Sequence, residues 1–124
     1  EKTDLALADF DRVIALEPAN TPVMLSRALI FVEQDRHDRA LRELKALLKV
    51  APSDAGALKL RADIYFDLGD MLRALQEYDV AIVADPEDAT SWVSRSEVKA
   101  ELGDPAGAAA DKAQAKRLDP KAGS

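Results

Sequence analysis

The chain contains no cysteine, one histidine and few aromatic residues among its 124 amino acids. The absence of cysteine excludes a disulfide framework, a thiolate metal site and a thiol nucleophile, and it leaves the redox compartment open. With six aromatic residues and five glycines, the apolar 48% of the chain rests mainly on Ala, Leu and Val. This mixture favours helices. No apolar run approaches the length of a membrane span, and no signal-peptide pattern opens the chain.

The formal net charge is −6, from 23 acidic and 17 basic residues. This balance disfavours nucleic acid and anionic membranes as partners and favours basic ones. The chain opens at Glu1 rather than at a methionine, so we expect a processed or excised piece of a longer protein. We expect a soluble protein, and the composition does not distinguish the cytoplasm from the periplasm.

Four prolines recur at a constant interval along the chain. They are Pro18, Pro52, Pro86 and Pro120. A fixed period of this size is the signature of a repeat array. It predicts one domain made of a truncated repeat at 1–20, full units at 21–54, 55–88 and 89–122, and a tail at 123–124.

Within each unit, apolar residues recur at helical spacing in two blocks separated by a short polar break. In the middle unit the break is Gly69 and Asp70, a residue suited to a helix C-terminus followed by one suited to the next N-cap. Each proline then ends the second helix. The pattern predicts an all-α fold with helices near 4–16, 21–34, 38–50, 55–68, 71–84, 89–102 and 105–118.

The units share side-chain sizes at matching positions, counted so that the proline is position 32. Small residues occupy positions 8 and 20, large ones position 4, and aromatic ones most of positions 11 and 24. The small residues are Ala28, Ala62 and Ser96, then Ala6, Ala40, Ala74 and Ala108; the large ones are Met24, Leu58 and Trp92; the aromatic ones are Phe31, Tyr65, Phe10 and Tyr78. In the last unit, Lys99 and Lys112 replace both aromatics.

This pattern resembles the tetratricopeptide repeat family over essentially the whole chain. The resemblance implies a right-handed superhelical solenoid of antiparallel helix pairs, about three and a half repeats long. It also implies a fragment of a larger bacterial protein of this family. The function it implies is that of a non-catalytic adaptor or scaffold that binds proteins and needs no cofactor or metal.

The resemblance also implies a concave groove lined by the first helix of each unit. Carried over to this chain, the groove residues are Leu25, Leu29, Val32, Glu33, Lys59, Asp63, Phe66, Asp67, Val93, Glu97 and Glu101. The strip is apolar at one end and acidic along its rim. Such a surface suits a peptide or helix with apolar anchors and nearby basic residues. Leucines and Asp63 stand where family members that clamp acidic chaperone C-termini need cations, so we disfavour that subtype.

An arginine recurs once in each unit, at Arg27, Arg61 and Arg95. The three could grip an acidic ligand, since the guanidinium group offers a planar fork for carboxylates. Alternatively, each pairs with an acid on a neighbouring second helix, and we favour this interpretation. The candidate acids are Asp9 or Asp11, Glu43, and Glu77 or Asp79.

The two ends of the array differ in character. The alanine-rich C-terminal helix has Leu118 as its one large apolar residue, and we expect it to be held loosely. The N-terminal helix presents an apolar face without a covering helix, at Leu5, Ala6, Phe10 and Val13. This face would be covered by an upstream segment of a longer chain, which we favour, or by another copy.

The remaining polar residues do not form a recognisable catalytic or metal site. The lone His37 lacks a second ligand at helical spacing, and we expect it to be a solvated turn residue. The sequence therefore predicts a protein-interaction scaffold. The alternatives are a self-assembling scaffold that uses the N-terminal face, or an accessory domain of a larger enzyme.

Overall fold

The structure, a computed structural model, describes residues 2–122, and these residues form seven helices and no strand. The helices are α1 (Lys2–Leu16), α2 (Thr21–Glu33), α3 (His37–Val50), α4 (Ala55–Asp67), α5 (Met71–Ala84), α6 (Ala89–Glu101) and α7 (Pro105–Leu118). The predicted all-α fold is confirmed, and every helix end lies within two residues of its predicted position. The predicted tail at 123–124 lies outside the described residues.

The helices belong to two compact units, the first ending at Ala57 and the second beginning at Leu58. In the first unit, α2 packs against both α1 and α3. In the second unit, α6 packs against both α5 and α7. Helices α2, α4 and α6 begin where the proline period places the start of a repeat. The division into equal repeats within one domain stays a prediction.

The turns that follow α2, α4 and α6 share one left-handed residue each, at equivalent positions of the period. These residues are Asp35 with φ 61°, Gly69 with φ 79° and Gly103 with φ 81°. In the α4 turn, the N–H of Gly69 donates to the carbonyl of Phe66 and that of Asp70 donates to the carbonyl of Tyr65. This pattern satisfies the last carbonyls of the helix. Asp35 makes the same turn without glycine's freedom at positive φ.

The residue after each left-handed position is the N-cap of the next helix. Asp70 and Asp104 each accept a hydrogen bond from the backbone N–H three residues further on, at 3.2 and 2.9 Å. Arg36, which holds the same place before α3, makes no such side-chain bond. The next residue, His37, is the first of α3, has 20% of its side chain exposed and lies 3.5 Å from Asp35. The prediction that it is a solvated turn residue was therefore wrong.

The core of each unit lies where paired helices cross over small side chains. In the first unit, Ala28 of α2 and Ala40 of α3 are fully buried. In the second, Ala62 of α4 and Ala74 of α5 are fully buried and form a cluster with Tyr78 and Val98, edged by Tyr65, Phe66, Met71 and Leu75. Alanine lets the two backbones approach closely, and the larger side chains fill the space on either side.

The C-terminal helix α7 is fixed to α6 more firmly than its alanine-rich sequence suggests. Asp111 and Ala115 of α7 are buried. Arg95 of α6 donates two hydrogen bonds to Asp111, at 2.9 and 2.8 Å. The expectation of a loosely held helix was wrong because it counted apolar side chains and ignored an ion pair that spans the two helices.

Because Ala74 is fully buried at the α4–α5 crossing, Ala74→Leu should overpack it. We expect the free energy of unfolding to fall by about 1–3 kcal/mol, measured by urea denaturation followed by circular dichroism. Gln76→Leu, on the exposed side of the same helix, is the matched control and should change stability by no more than about 0.5 kcal/mol. Equal stability of Ala74→Leu and the wild type would contradict this packing.

Candidate functional site

The second unit presents a mixed apolar and acidic face built from α4 and α6. We call it the α4/α6 face and define it by Lys59, Asp63, Phe66 and Asp67 of α4 with Val93, Glu97 and Glu101 of α6. All seven are groove residues implied by the sequence. Phe66 and Val93 are half-buried, whereas Asp67, Glu97 and Glu101 are exposed. Phe66 also packs against the core cluster, so only part of its ring is available to a ligand.

Lys59 joins the two helices of this face at their N-terminal ends. Its ammonium group lies 3.2 Å from Oδ2 of Asp88, the residue that caps α6. It also donates a hydrogen bond to the hydroxyl of Thr90. Burial alone would raise the pKa of Asp88, but hydrogen bonds from Thr90, Ser91 and Lys59 and the lysine charge hold it below its ordinary value. The charge of Lys59 is therefore used within the protein.

Asp63 is likewise engaged within the protein. It accepts a hydrogen bond from the hydroxyl of Tyr78, which projects from α5 into the core cluster. Burial raises the pKa of Asp63 above its ordinary value, although the Tyr78 bond and the charge of Lys59 oppose the shift. Burial and the same bond raise the pKa of Tyr78. Lys59 and Asp63, both implied as groove residues, thus hold the helices together.

Three other carboxylates of the α4/α6 face are not bound to another side chain of the protein through an ion pair. Asp67, Glu97 and Glu101 form no ion pair with any residue between 2 and 122. They lie on the same two helices as Phe66 and Val93, so an apolar surface with uncompensated negative charge is open to solvent. A cationic ligand could neutralise this charge while covering the apolar side chains.

The first unit carries the other four predicted groove residues on α2. Leu29 has 45% of its surface exposed, Glu33 is also exposed, and Leu25 and Val32 are half-buried. Part of Leu25 is used internally, because a Cβ atom built on Gly56 would come within 3.3 Å of its Cδ2 atom. Glycine at this position therefore lets the start of α4 pass close to Leu25.

The N-terminal apolar face lies on α1, and no residue of that helix is buried. Leu5 has 67% of its surface exposed, whereas Ala6, Phe10 and Val13 are half-buried. That an upstream segment or another copy covers this face stays a prediction.

The recurring arginines pair with carboxylates at a constant separation along the chain. Arg27 donates two hydrogen bonds to Glu43, both at 2.9 Å, and a third to Asp11 at 2.8 Å. Arg95 repeats the arrangement with Asp111, and its third bond reaches Asp79 at 3.1 Å. The guanidinium groups of Arg27 and Arg95 are bound to carboxylates within the protein. The interpretation that the recurring arginines grip an acidic ligand is therefore not supported.

Arg61 departs from this arrangement. It donates to Glu77 at 2.9 Å, but the place that corresponds to Asp11 and Asp79 is held by Lys45 rather than by an acid. Its buried Nε atom has no hydrogen-bond partner among the residues that the structure describes.

Asp111, the main partner of Arg95, was not among the acids predicted from the sequence. Every bond of the recurring arginines joins residues at the same sequence separation, before or after the arginine. This constant separation was the signal that would have found Asp111.

Comparison with known proteins places these features in a family. A model of the tetratricopeptide repeat matches residues 25–89, which is more than half of the chain. The chain belongs to the tetratricopeptide repeat family. Members of this family generally mediate protein–protein interactions and are typically non-enzymatic scaffolds. No curated protein gives a significant match.

Solved structures of tetratricopeptide repeat proteins resemble the chain in fold. A crystal structure of MamA shares 17% identity with a TM-score of 0.85, covering 95% of this chain and 69% of that one. MamA from Desulfovibrio magneticus shares 21% identity with a TM-score of 0.82, covering 99% and 70%. A tetratricopeptide repeat protein from Parabacteroides merdae shares 21% with a TM-score of 0.82, covering 93% and 46%. At these sequence identities the comparison shows a shared fold, and it does not identify a binding partner.

The tetratricopeptide repeat chain shows neither a metal cluster nor a membrane span between residues 2 and 122. No three His, Cys, Asp or Glu side chains of this range are grouped so that they could hold a metal ion. No helix of the same part of the chain combines the length and the apolar character needed to cross a bilayer.

The Arg95–Asp111 pair generates a prediction for stability. Asp111 is 3% exposed, so Asp111→Asn leaves the guanidinium group of Arg95 without its main partner. We expect the free energy of unfolding at neutral pH to fall by about 2–4 kcal/mol, measured by urea denaturation. Glu97→Gln on α6, which removes an exposed acid without an ion pair, should have little effect.

The Arg95–Asp111 pair also makes the free energy of unfolding depend on pH. Burial alone would raise the pKa of Asp111, but hydrogen bonds and charge from Arg95 and Lys99 outweigh it and hold the pKa below its ordinary value. A lowered pKa in the folded state stabilises the protein above the unfolded value, about 3.9 for aspartate, and that stabilisation is lost as the pH falls through the folded value. The stability difference between wild type and Asp111→Asn should thus be complete above about pH 5 and shrink below about pH 4. A difference independent of pH would contradict this assignment.

Proposed function

We propose that the chain is a non-catalytic protein-binding module whose α4/α6 face captures a peptide or helix of a partner protein. The observation that carries the proposal is the set of uncompensated carboxylates of Asp67, Glu97 and Glu101 beside the partly exposed Phe66 and Val93. Every other charged side chain of that face is engaged within the protein.

The ligand that fits this face carries apolar anchors with lysine or arginine close to them. The apolar side chains would contact Phe66 and Val93, and the cations would pair with the three carboxylates. Rim charges of this kind increase the association rate and select partners more than they add affinity. The net charge of −6 acts in the same direction by attracting basic partners over a longer range.

The internal bonds of Lys59 and Asp63 keep the face in order before a ligand arrives. Lys59 links α4 to the cap of α6, and Asp63 links α4 to Tyr78 of α5. Helices held in this way lose little conformational freedom on binding, so less of the interaction energy is spent on ordering the protein. In the first unit, α2 carries side chains of similar chemistry at Leu25, Leu29, Val32 and Glu33.

Selection from a phage-displayed library of random dodecapeptides tests the proposal. Immobilised wild-type protein should enrich peptides with leucine or phenylalanine near lysine or arginine. Binding of a synthetic copy, measured by fluorescence anisotropy, should weaken about tenfold or more in Glu97→Lys/Glu101→Lys, because attraction becomes repulsion.

The matched control is Asp4→Lys/Asp38→Lys, which makes the same change in net charge at exposed positions of α1 and α3. Its affinity for the peptide should stay close to that of the wild type. If peptide binding weakens equally in both variants, the effect comes from net charge alone and the proposed site is overturned. Phe66→Ala is a poorer test, because Phe66 also packs against the core.

A second candidate function is self-association through α1. The helix has no buried residue, and Leu5 and Leu16 are 67% and 85% exposed. We expect multi-angle light scattering to show a mass that rises with concentration, and Leu5→Lys to suppress the rise. A wild type that remains monomeric at every concentration contradicts this function. A role as the accessory domain of a larger enzyme stays a prediction from the sequence.

A further inference from the structure

The first unit contains a cavity on the side of α2 that faces α1 and α3. It is open to solvent, and its volume is about 530 Å³, enough to receive a few side chains of a bound segment. Apolar residues from all three helices line it, including Ile14 of α1, Met24 and Phe31 of α2 and Ala46 of α3. Its residues are distinct from those of the α4/α6 face.

Two arginines of α3 border the cavity without a partner. Arg39 and Arg42 are exposed and form no ion pair with any residue that the structure describes. They are three residues apart, so their side chains lie on the same side of the helix. Arg27, which also lines the cavity, is committed to Glu43 and Asp11. Because Glu43 is neutralised in this way, the uncompensated charge at the cavity is positive.

The positive charge is specific to this repeat. The equivalent positions of the last repeat are Gly107 and Ala110, and those of the middle repeat are Arg73 and Gln76. Arg73 lies 3.7 Å from Asp70 and covers the ring of Tyr65 at 5.5 Å. Two free arginines over an apolar cavity are therefore not a requirement of the fold.

We infer that this cavity is a second binding site, for a partner-protein segment that carries a carboxylate next to a large apolar side chain. The apolar side chain would enter between Ile14 and Phe31, and the carboxylate would bind the guanidinium groups of Arg39 and Arg42. Arginine is suited to this because its planar fork donates two parallel hydrogen bonds to one carboxylate. The charge preference is opposite to that of the α4/α6 face.

The charge of α3 supports an acidic occupant. The helix carries four lysines and arginines against two acids, and one of those acids, Glu43, is paired with Arg27. Arg39 lies near the N-terminus of α3, where the helix dipole adds a partial positive charge. An acidic segment would thus meet an attractive field in a chain whose net charge is −6.

The test uses the same random dodecapeptide library, displayed on phage and selected on the immobilised chain. We expect a class of peptides with glutamate or aspartate beside leucine, isoleucine or phenylalanine. Anisotropy with a fluorescent copy of one such peptide should show affinity reduced about tenfold or more in Arg39→Gln/Arg42→Gln. These side chains are exposed and unpaired, so the substitutions should leave the fold intact, which circular dichroism would verify.

Two controls separate this site from others. Lys112→Gln/Lys116→Gln removes the same charge from exposed positions of α7, which contributes no residue to the cavity, and should keep the wild-type affinity. Glu97→Lys/Glu101→Lys should also keep it, so a failure here is distinguishable from a failure of the α4/α6 face. Ala46→Glu places a carboxylate one turn from Arg42 and should compete with the peptide.

The proposal is overturned if selection yields no peptide of the acidic and apolar class. It is equally overturned if such peptides bind Arg39→Gln/Arg42→Gln as tightly as the wild type, or if the lysine control weakens binding to the same extent. Retention of full affinity by Ala46→Glu would place the carboxylate away from Arg42 and contradict the assigned geometry.

Discussion

The close crossing of paired helices over alanine is the constraint on which the rest of this structure depends. Ala28, Ala40, Ala62 and Ala74 have no exposed surface, and larger residues there would push the helices apart. Because these positions are small, the large side chains lie on either side of the crossing, where Tyr78 and Leu44 are buried. The outer faces of α2, α4 and α6 can then carry side chains that packing does not require.

Ion pairs between helices add to the small apolar contacts that hold the helices together. A helix as rich in alanine as α7 buries little apolar surface, and its position on α6 depends on Asp111 bound to Arg95 and Lys99. The lysine at 99 stands where the family prefers an aromatic residue, so an ion pair replaces a packing contact. In the first unit the aromatic Phe31 is retained at the equivalent position, and it lines a cavity there.

The sequence predicted the helices well because their ends carry local signals. Proline, glycine and capping aspartate mark the boundaries, and the proline period repeats each signal several times. His37 was misassigned because the α2–α3 turn lacks both the glycine and the capping aspartate of the other turns. The engagement of Lys59 with Thr90 and of Asp63 with Tyr78 could not be predicted, because each joins residues on different helices through side-chain conformations. One acid of the predicted rim, Asp63, is therefore bound within the protein rather than open to a ligand.

The pairing of Arg27 and Arg95 with two acids each has a consequence for how salt should act on this chain. These pairs are partly buried, with 18% and 16% of the arginine side chains exposed, and dissolved ions screen such pairs weakly. The carboxylates of the α4/α6 face and the arginines of the cavity border stand in water, where about 0.15 M salt limits their reach to about 8 Å. Ionic strength therefore acts mainly on the charges that meet a partner, and much less on those that hold the helices together.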